Sequence, residues 1–260
     1  MPVAIVTGAS KGLGRALATA LAARGWDLVL DARSAGPLAD TARELEKGPA
    51  EQELPEQERP EQERPESGHA KKRHARVRAV SGDVTDAAHR SALVAAARDL
   101  GGLDLLVHNA SALGAEPLVR LEELPLDGLR QALETNVVAA LGLVREALPL
   151  LRESAGAVLA VSSDAAVEAY ETWGGYGASK AALDHLSAVL AVEEPGLRVW
   201  AVDPGDMRTE LYRAAVPSDD DSGRPLPESV VPAFLRLLDE RPASGRYVAS
   251  ELGAEQGAEL

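Results

Sequence analysis

Short runs of Val, Leu and Ile recur along the chain at 3–6, 28–30, 77–80, 103–107, 157–161, 199–202 and 246–249. Most are continuously apolar rather than alternating, the pattern of strands covered on both faces. Between the runs lie longer Ala/Leu/Arg segments with apolar residues three and four apart, which predict helices near 12–24, 37–47, 86–100, 127–153, 175–193 and 228–239. Strand–helix alternation of this kind predicts an α/β fold: a doubly wound parallel sheet of about seven strands with helices on both faces, joined by right-handed crossovers. In such a sheet, ligands sit outside the carboxyl ends of the strands.

One segment breaks the rhythm. Residues 48–74 lack apolar periodicity and carry a five-residue unit three times, Glu51–Pro55, Glu56–Pro60 and Glu61–Pro65, followed by the basic cluster Lys71, Lys72, Arg73, His74 and Arg76. Glu, Gln and Pro bury too little apolar surface to offset the entropy of ordering, so a mobile insertion is expected, with a partner-docking arm as the alternative. The rest of 1–260 reads as one dinucleotide-binding and catalytic domain, its core supplied by 45 % hydrophobic residues.

Charge narrows the choice of ligand. Acidic residues outnumber basic ones 41 to 27, a formal charge of −14, which repels phosphate backbones and argues against nucleic acid. Any anionic ligand must therefore be met by local cations. The absence of cysteine removes disulfides, thiolate catalysis and cysteine-ligated metals. Asp219, Asp220 and Asp221 read as solvated loop acids, and no metal is expected. There is no secretory leader pattern after Met1 and no apolar stretch near the ~20 residues of a membrane span, so a cytoplasmic location without membrane attachment is expected.

The first apolar run leads into Thr7-Gly8-Ala9-Ser10-Lys11-Gly12-Leu13-Gly14 and then a helix. Glycines at such a turn let a diphosphate approach a helix N-terminus, where free N–H groups and the dipole favour anions. Further along, Tyr176 and Lys180 stand four apart at the start of an Ala/Leu-rich helix, on one face. An ammonium there is expected to favour the phenolate and lower the tyrosine pKa, as suits a general acid/base.

The order Gly-x-x-x-Gly-x-Gly resembles the short-chain dehydrogenase/reductase family, whose fold is Rossmann-type, and the resemblance extends over nearly the whole chain outside the insertion and the acidic tail. It implies a catalytic tetrad of Asn136, Ser163, Tyr176 and Lys180, with Ser163 preferred to Ser162 by its thirteen-residue spacing from Tyr176. In the family, Tyr exchanges a proton with the substrate oxygen and Ser holds that oxygen. Lys tunes Tyr and binds the nicotinamide ribose, while Asn supports a water-linked proton path. Cofactor contacts are implied at Gly8, Ser10, Lys11, Gly12, Leu13 and Gly14, at Asp83 and Val84, at Asn109, Ala110 and Ser111, and at Pro204, Gly205, Met207 and Thr209, besides Tyr176 and Lys180. The usual Asn-Asn-Ala-Gly turn here reads His108-Asn109-Ala110-Ser111. Ser111 is expected to shift that turn for want of glycine's positive φ, and His108 to be a core histidine bonded to backbone rather than a catalytic one.

Cofactor choice rests on the second strand, which ends Leu30-Asp31-Ala32-Arg33-Ser34. The resemblance places the discriminating position at Ala32. Strand alternation turns Asp31 the other way, while Arg33, Ser34 and Lys11 suit a 2′-phosphate. NADP(H) is expected; NAD(H) is the alternative, reached if the strand boundary slips by one residue. Tyr170, Trp173, Leu113, Met207, Leu211 and Tyr212 form the expected wall for a small carbonyl or alcohol substrate, and 216–227 a surface lid. The expected activity is NADP(H)-dependent hydride transfer to a carbonyl or from a secondary alcohol. The alternative is a catalytically silent NADP(H)-binding regulator or scaffold of the same fold. Pairing through 127–153 and 175–193 into a homodimer or homotetramer is expected. Neither substrate nor direction is written in the sequence.

Overall fold

The computed structural model describes residues 1–47 and 74–254 of the chain. Seven strands form one parallel sheet: β1 (Val3–Val6), β2 (Asp27–Ala32), β3 (Val77–Ser81), β4 (Leu105–His108), β5 (Ala157–Val161), β6 (Arg198–Asp203) and β7 (Gly245–Val248). Their order is β3-β2-β1-β4-β5-β6-β7, so the winding reverses between β1 and β4 and opens a crevice above their carboxyl ends. The fold is the Rossmann-type sheet expected from the strand–helix alternation.

The helices are α1 (Gly12–Ala23), α2 (Ala35–Lys47), α3 (Ala87–Leu100), α4 (Leu126–Leu133), α5 (Ala139–Ser154), α6 (Gly174–Glu193), α7 (Glu210–Ala215), α8 (Pro227–Glu240) and α9 (Ala249–Ala254). Strand alternation divides the core into two layers. Ala4, Val6, Leu28 and Leu30 pack with Leu17 and Leu21 of α1, Leu38 of α2 and Phe234 of α8. Val3, Ile5 and Val29 face the other way, against Leu93 and Val94 of α3 and Leu143 and Ala147 of α5. Because both faces of β1, β2, β4, β5 and β6 are buried, these strands show no polar alternation in the sequence; the edge strands β3 and β7 are more exposed.

Three details depart from the expected elements. The single helix expected at 127–153 is α4 and α5 joined by a π-helical turn, Glu134–Val138. β4 starts at Leu105 rather than 103, since Asp104 turns its carboxylate to the Val3 N–H at 2.7 Å. The short helices α7 and α9 were not anticipated, because six residues carry too little periodicity to register. The Glu/Gln/Pro insertion lies outside the described residues, apart from His74, whose Nδ1 is 3.0 Å from the Glu46 carbonyl. Among the described residues, no helix is long and apolar enough to cross a membrane.

Candidate active site

A cleft of about 1120 Å³ runs along the carboxyl edge of the sheet. Of the positions expected to meet a dinucleotide, only Gly14 does not line it. Gly14 instead makes the cradle possible: a Cβ there would sit 2.4 Å from both Asn109 Nδ2 and the Gly8 carbonyl oxygen. Gly12 adopts φ +55, in the left-handed region that lets the loop turn into α1. Asn109 Nδ2 donates to the Thr7 and Gly8 carbonyls at 2.9 and 3.1 Å. Thr7 Oγ1 accepts from the Asn109 and Ala110 N–H groups, both at 3.0 Å. The turn after β4 is thereby fixed to the glycine loop, and together they frame the crevice at the point where the winding reverses.

At the β2 end of the cleft the register ends at Ala32, paired with Ser81. Asp31 is buried; one of its oxygens meets His89 Nε2 at 2.6 Å and the other lies 3.4 Å from the Gly8 N–H. Burial raises the Asp31 pKa above the usual carboxylate value, against the opposing pull of His89. Asp31 lines the cleft, but its carboxylate is already engaged by His89 and the glycine loop. His89 was not singled out from the sequence, because nothing in a helical segment marks one histidine as facing a strand residue 58 positions away. Its ring fills the space beside Gly82, where a Cβ would approach Nδ1 to 2.3 Å. Arg33 lines the cleft, exposed, and makes no hydrogen bond or ion pair among the described residues. Lys11 is ion-paired across the mouth with Glu210 of α7, both side chains 64 % exposed.

At the opposite end, Tyr176 and Lys180 are both buried on α6 and both line the cleft. Lys180 Nζ donates to the Val161 carbonyl at 2.7 Å and lies 5.4 Å from the tyrosine ring centre. The lowering of the Tyr176 pKa expected from this ammonium is not what the structure gives. Burial pushes the phenol above its ordinary value, Asp164 and Asp203 add to the rise, and a hydrogen bond with the Ser111 hydroxyl opposes it. Desolvation outweighs a cation whose nearest partner is a carbonyl. Burial also pushes Lys180 down, to about 8.

Ser163 follows β5 and caps the short helical turn Asp164–Ala166, its Oγ accepting from the Ala165 N–H at 3.2 Å and donating to Asp164 at 2.9 Å. Both serines line the cleft; Ser162 is buried with its hydroxyl toward Asp184, whereas Ser163, the one preferred by the thirteen-residue spacing, is half-buried. Asn136 stands behind the cleft in the π-helical turn. Its Nδ2 donates to the Ala112 carbonyl at 2.9 Å and Ser179 Oγ at 2.8 Å, while its Oδ1 accepts from the Ala112 N–H at 2.8 Å and Ser111 Oγ at 3.2 Å. It ties the loop after β4 to α6. Ser111 is outside the left-handed region, so its side chain imposes no backbone strain on the turn. His108 is a core residue as expected, but not a backbone-bonded one at Nε2, which has no partner among the described residues; burial, with Lys180 nearby, pushes its pKa down to about 4.

Trp173, Met207, Leu211 and Tyr212 line the cleft beside Tyr176, and Trp173 meets the Tyr176 ring edge-to-face at 5.7 Å. Two expected wall residues do not. Leu113 is buried with Ala165, Tyr176 and Ala215, and the Tyr170 hydroxyl turns to Asp164 and Glu168. The segment 216–227, expected to be a surface lid, is fastened to its surroundings: Tyr212 donates to Asp219 at 2.6 Å, and Arg224 stacks on Tyr212 at 4.1 Å while pairing with Asp206 and Asp219.

A seven-stranded parallel sheet with a glycine cradle at its winding switch and a Ser, Tyr and Lys set at the far end defines a class of dinucleotide-fold oxidoreductases. The family model for short chain dehydrogenase matches residues 2–57 and 55–220, and the chain belongs to that family. An oxidoreductase of Saccharomyces cerevisiae is 32 % identical over 212 residues, 80 % of this chain and 72 % of the relative. A short chain dehydrogenase from Shigella flexneri solved with NADP superposes with a TM-score of 0.80 at 25 % identity, covering 96 % of this chain and 97 % of that one. An alcohol dehydrogenase from the archaeon Thermococcus sibiricus, solved with 5-hydroxy-NADP, gives a TM-score of 0.78 at 26 % identity over 95 % of each chain.

Proposed function

We propose that the protein is an NADP(H)-dependent reductase of small carbonyl compounds, or a dehydrogenase of the corresponding alcohols. The observation that carries this reading is one continuous cleft with the unpaired Arg33 at its β2 end and Tyr176, Lys180 and Ser163 at the other. The glycine cradle accepts the diphosphate, Asp83 and Val84 flank the adenine, and Arg33, Ser34 and Ser10 face a 2′-phosphate. Lys11 joins them when it leaves Glu210. Pro204, Gly205, Met207 and Thr209 border the nicotinamide, which supplies or accepts the hydride.

In the reductive direction the Tyr176 hydroxyl gives its proton to the substrate oxygen as the carbon receives the hydride. Burial keeps that hydroxyl protonated until the transfer, and the Ser111 hydroxyl stabilises the phenolate left behind once its proton turns from Asn136. Ser163 holds the substrate oxygen once its hydroxyl swings from Asp164. Lys180 in its charged form binds the nicotinamide ribose and favours the phenolate. Asn136 acts at one remove, by holding the loop after β4 against α6. Trp173, Met207, Leu211 and Tyr212 exclude water around the reacting carbon and favour an apolar substrate.

The test is oxidation of NADPH followed at 340 nm with benzil and related diketones as probes, with Tyr176→Phe as the control. Turnover in the wild type and a loss of about 100-fold or more in the variant support the reading. Tight NADPH binding without turnover of any carbonyl or alcohol in either direction would establish the silent regulator instead. We also propose self-association through Val138 and Leu141, and Val189 and Val192 of α6, all apolar and exposed.

A further inference from the structure

β7 brings one guanidinium to the underside of the catalytic end. Arg246 Nε lies 3.1 Å from Asp184 Oδ2, on α6 one turn beyond Lys180. Its Nη2 donates to the carbonyl of Ser163 at 3.0 Å and to Asp203 Oδ2 at 3.2 Å. Asp203 closes β6, and its other oxygen accepts from the Gly205 N–H at 2.9 Å. Three segments that carry different parts of the proposed site, namely the Ser163 loop, the Lys180 helix and the Pro204-Gly205 turn, therefore meet on a single side chain.

The charges at this junction are largely shielded from water. The side chains of Asp184, Asp203 and Arg246 are 14 %, 7 % and 27 % exposed. Burial raises the Asp184 carboxyl above its usual value, and the Ser162 hydroxyl faces the same group. Without the guanidinium, the Asp184 and Asp203 carboxylates and the Ser163 carbonyl would lose the cation that joins them, an arrangement that relaxes only if the segments move apart. A planar fork with fixed N–H directions serves three acceptors at once; an ammonium on a flexible stem meets the charge but not the directions.

We propose that Arg246 is a positioning residue that sets the register of Ser163, Lys180 and the nicotinamide-bordering turn relative to one another. The inference rests on the functional reading above. Its effect is confined to one end of the cleft, since the glycine cradle and Arg33 share no contact with Arg246. Asp184 is part of the device: it lies outside the cleft lining, and besides Arg246 it faces the Ser162 hydroxyl and the charge of Lys180.

The experiment uses the full chain with Arg246→Met, which keeps a stem of similar length, and Arg246→Lys. Calorimetric titration with 2′,5′-ADP probes the adenine end alone, titration with NADPH probes the whole cleft, and benzil reduction gives kcat. Expected for Arg246→Met are unchanged 2′,5′-ADP affinity, NADPH affinity weaker by about tenfold, and kcat lower by about 100-fold, the scale of an ångström misplacement. Arg246→Lys recovers part of both losses. Should the Met variant fail to fold, the Lys variant shows the same split at smaller size. NADPH affinity and kcat both within twofold of wild type would overturn the proposal. So would a parallel loss of 2′,5′-ADP and NADPH affinity, which marks general loosening rather than positioning. A wild type that binds both nucleotides but leaves benzil untouched removes the proposed substrate class while the binding split still decides the role of Arg246. A wild type that binds neither removes both readings.

Discussion

Replacing Arg33 by Ala isolates the element that selects the cofactor. The side chain is exposed and makes no hydrogen bond or ion pair among the described residues, and only its charge acts on Asp83, so its removal leaves the hydrogen bonds of the fold intact. The stability change is expected within about 0.5 kcal/mol, a Tm shift of about 2 °C or less for a chain of this size. A hydrogen bond from a charged donor contributes about 1.5–3 kcal/mol, and each 1.4 kcal/mol is tenfold in affinity. Solvent screening at an exposed residue places the effect in the lower half of that range, about 10- to 30-fold weaker NADPH binding. NADH, lacking the phosphate, should change by less than about twofold on the same argument. Trp173, at the cleft, reports both titrations by quenching of its emission. The wild-type preference for NADPH should also shrink as salt is raised from about 0.05 to 0.5 M, as befits an exposed charge pair. Equal affinity of the wild type for the two cofactors, or equal weakening of both in the variant, would refute the reasoning. Either result would require Asp31 to leave His89 and turn to the ribose.

Four further outcomes follow from the geometry. Lys180 is charged below about pH 8, where burial has moved its pKa from 10.5, so reductive kcat/KM should be level below pH 8 and fall above it; a profile flat to about pH 10 contradicts this role. Gly14→Ala forces a Cβ against Asn109 and Gly8 and should destabilise by about 1–3 kcal/mol, read as a Tm drop of about 3–10 °C with NADPH affinity reduced; a variant as stable as wild type would show that the cradle yields. Ser111→Gly removes the hydroxyl that lowers the Tyr176 pKa and should slow reduction by about tenfold with Tm nearly unchanged, whereas kcat within twofold would place Ser111 outside the proton transfer. Light scattering at micromolar concentration should return a dimer or tetramer, and a monomer would remove the assembly proposed for the exposed α6 face.

The sheet was legible because burial on both faces writes strands as continuous apolar runs, and those at 3–6 and 157–161 coincide with β1 and β5 to the residue. The glycine cradle and the Tyr176–Lys180 pair were legible for a different reason: each is local, a turn or a single helix face, so spacing along the chain is spacing in space. The π-helical turn at Asn136 was not legible, since one extra residue in a helix leaves the apolar pattern on either side almost unchanged.

By itself, then, the sequence determined the fold class, the family resemblance and the identity of the residues gathered at the sheet's carboxyl edge. Tertiary structure alone decided how those residues are poised. The Asp31 carboxylate, although at the cleft wall, is engaged because His89, far away in sequence, meets it from α3. Tyr176 is held protonated because desolvation, a property of the closed interior, exceeds the pull of a lysine turned toward Val161. Arg246, near the start of the edge strand β7, reaches three segments that only the winding of the sheet brings together. Burial and long-range charge depend on what the folded chain places around a group, and no local spacing encodes that.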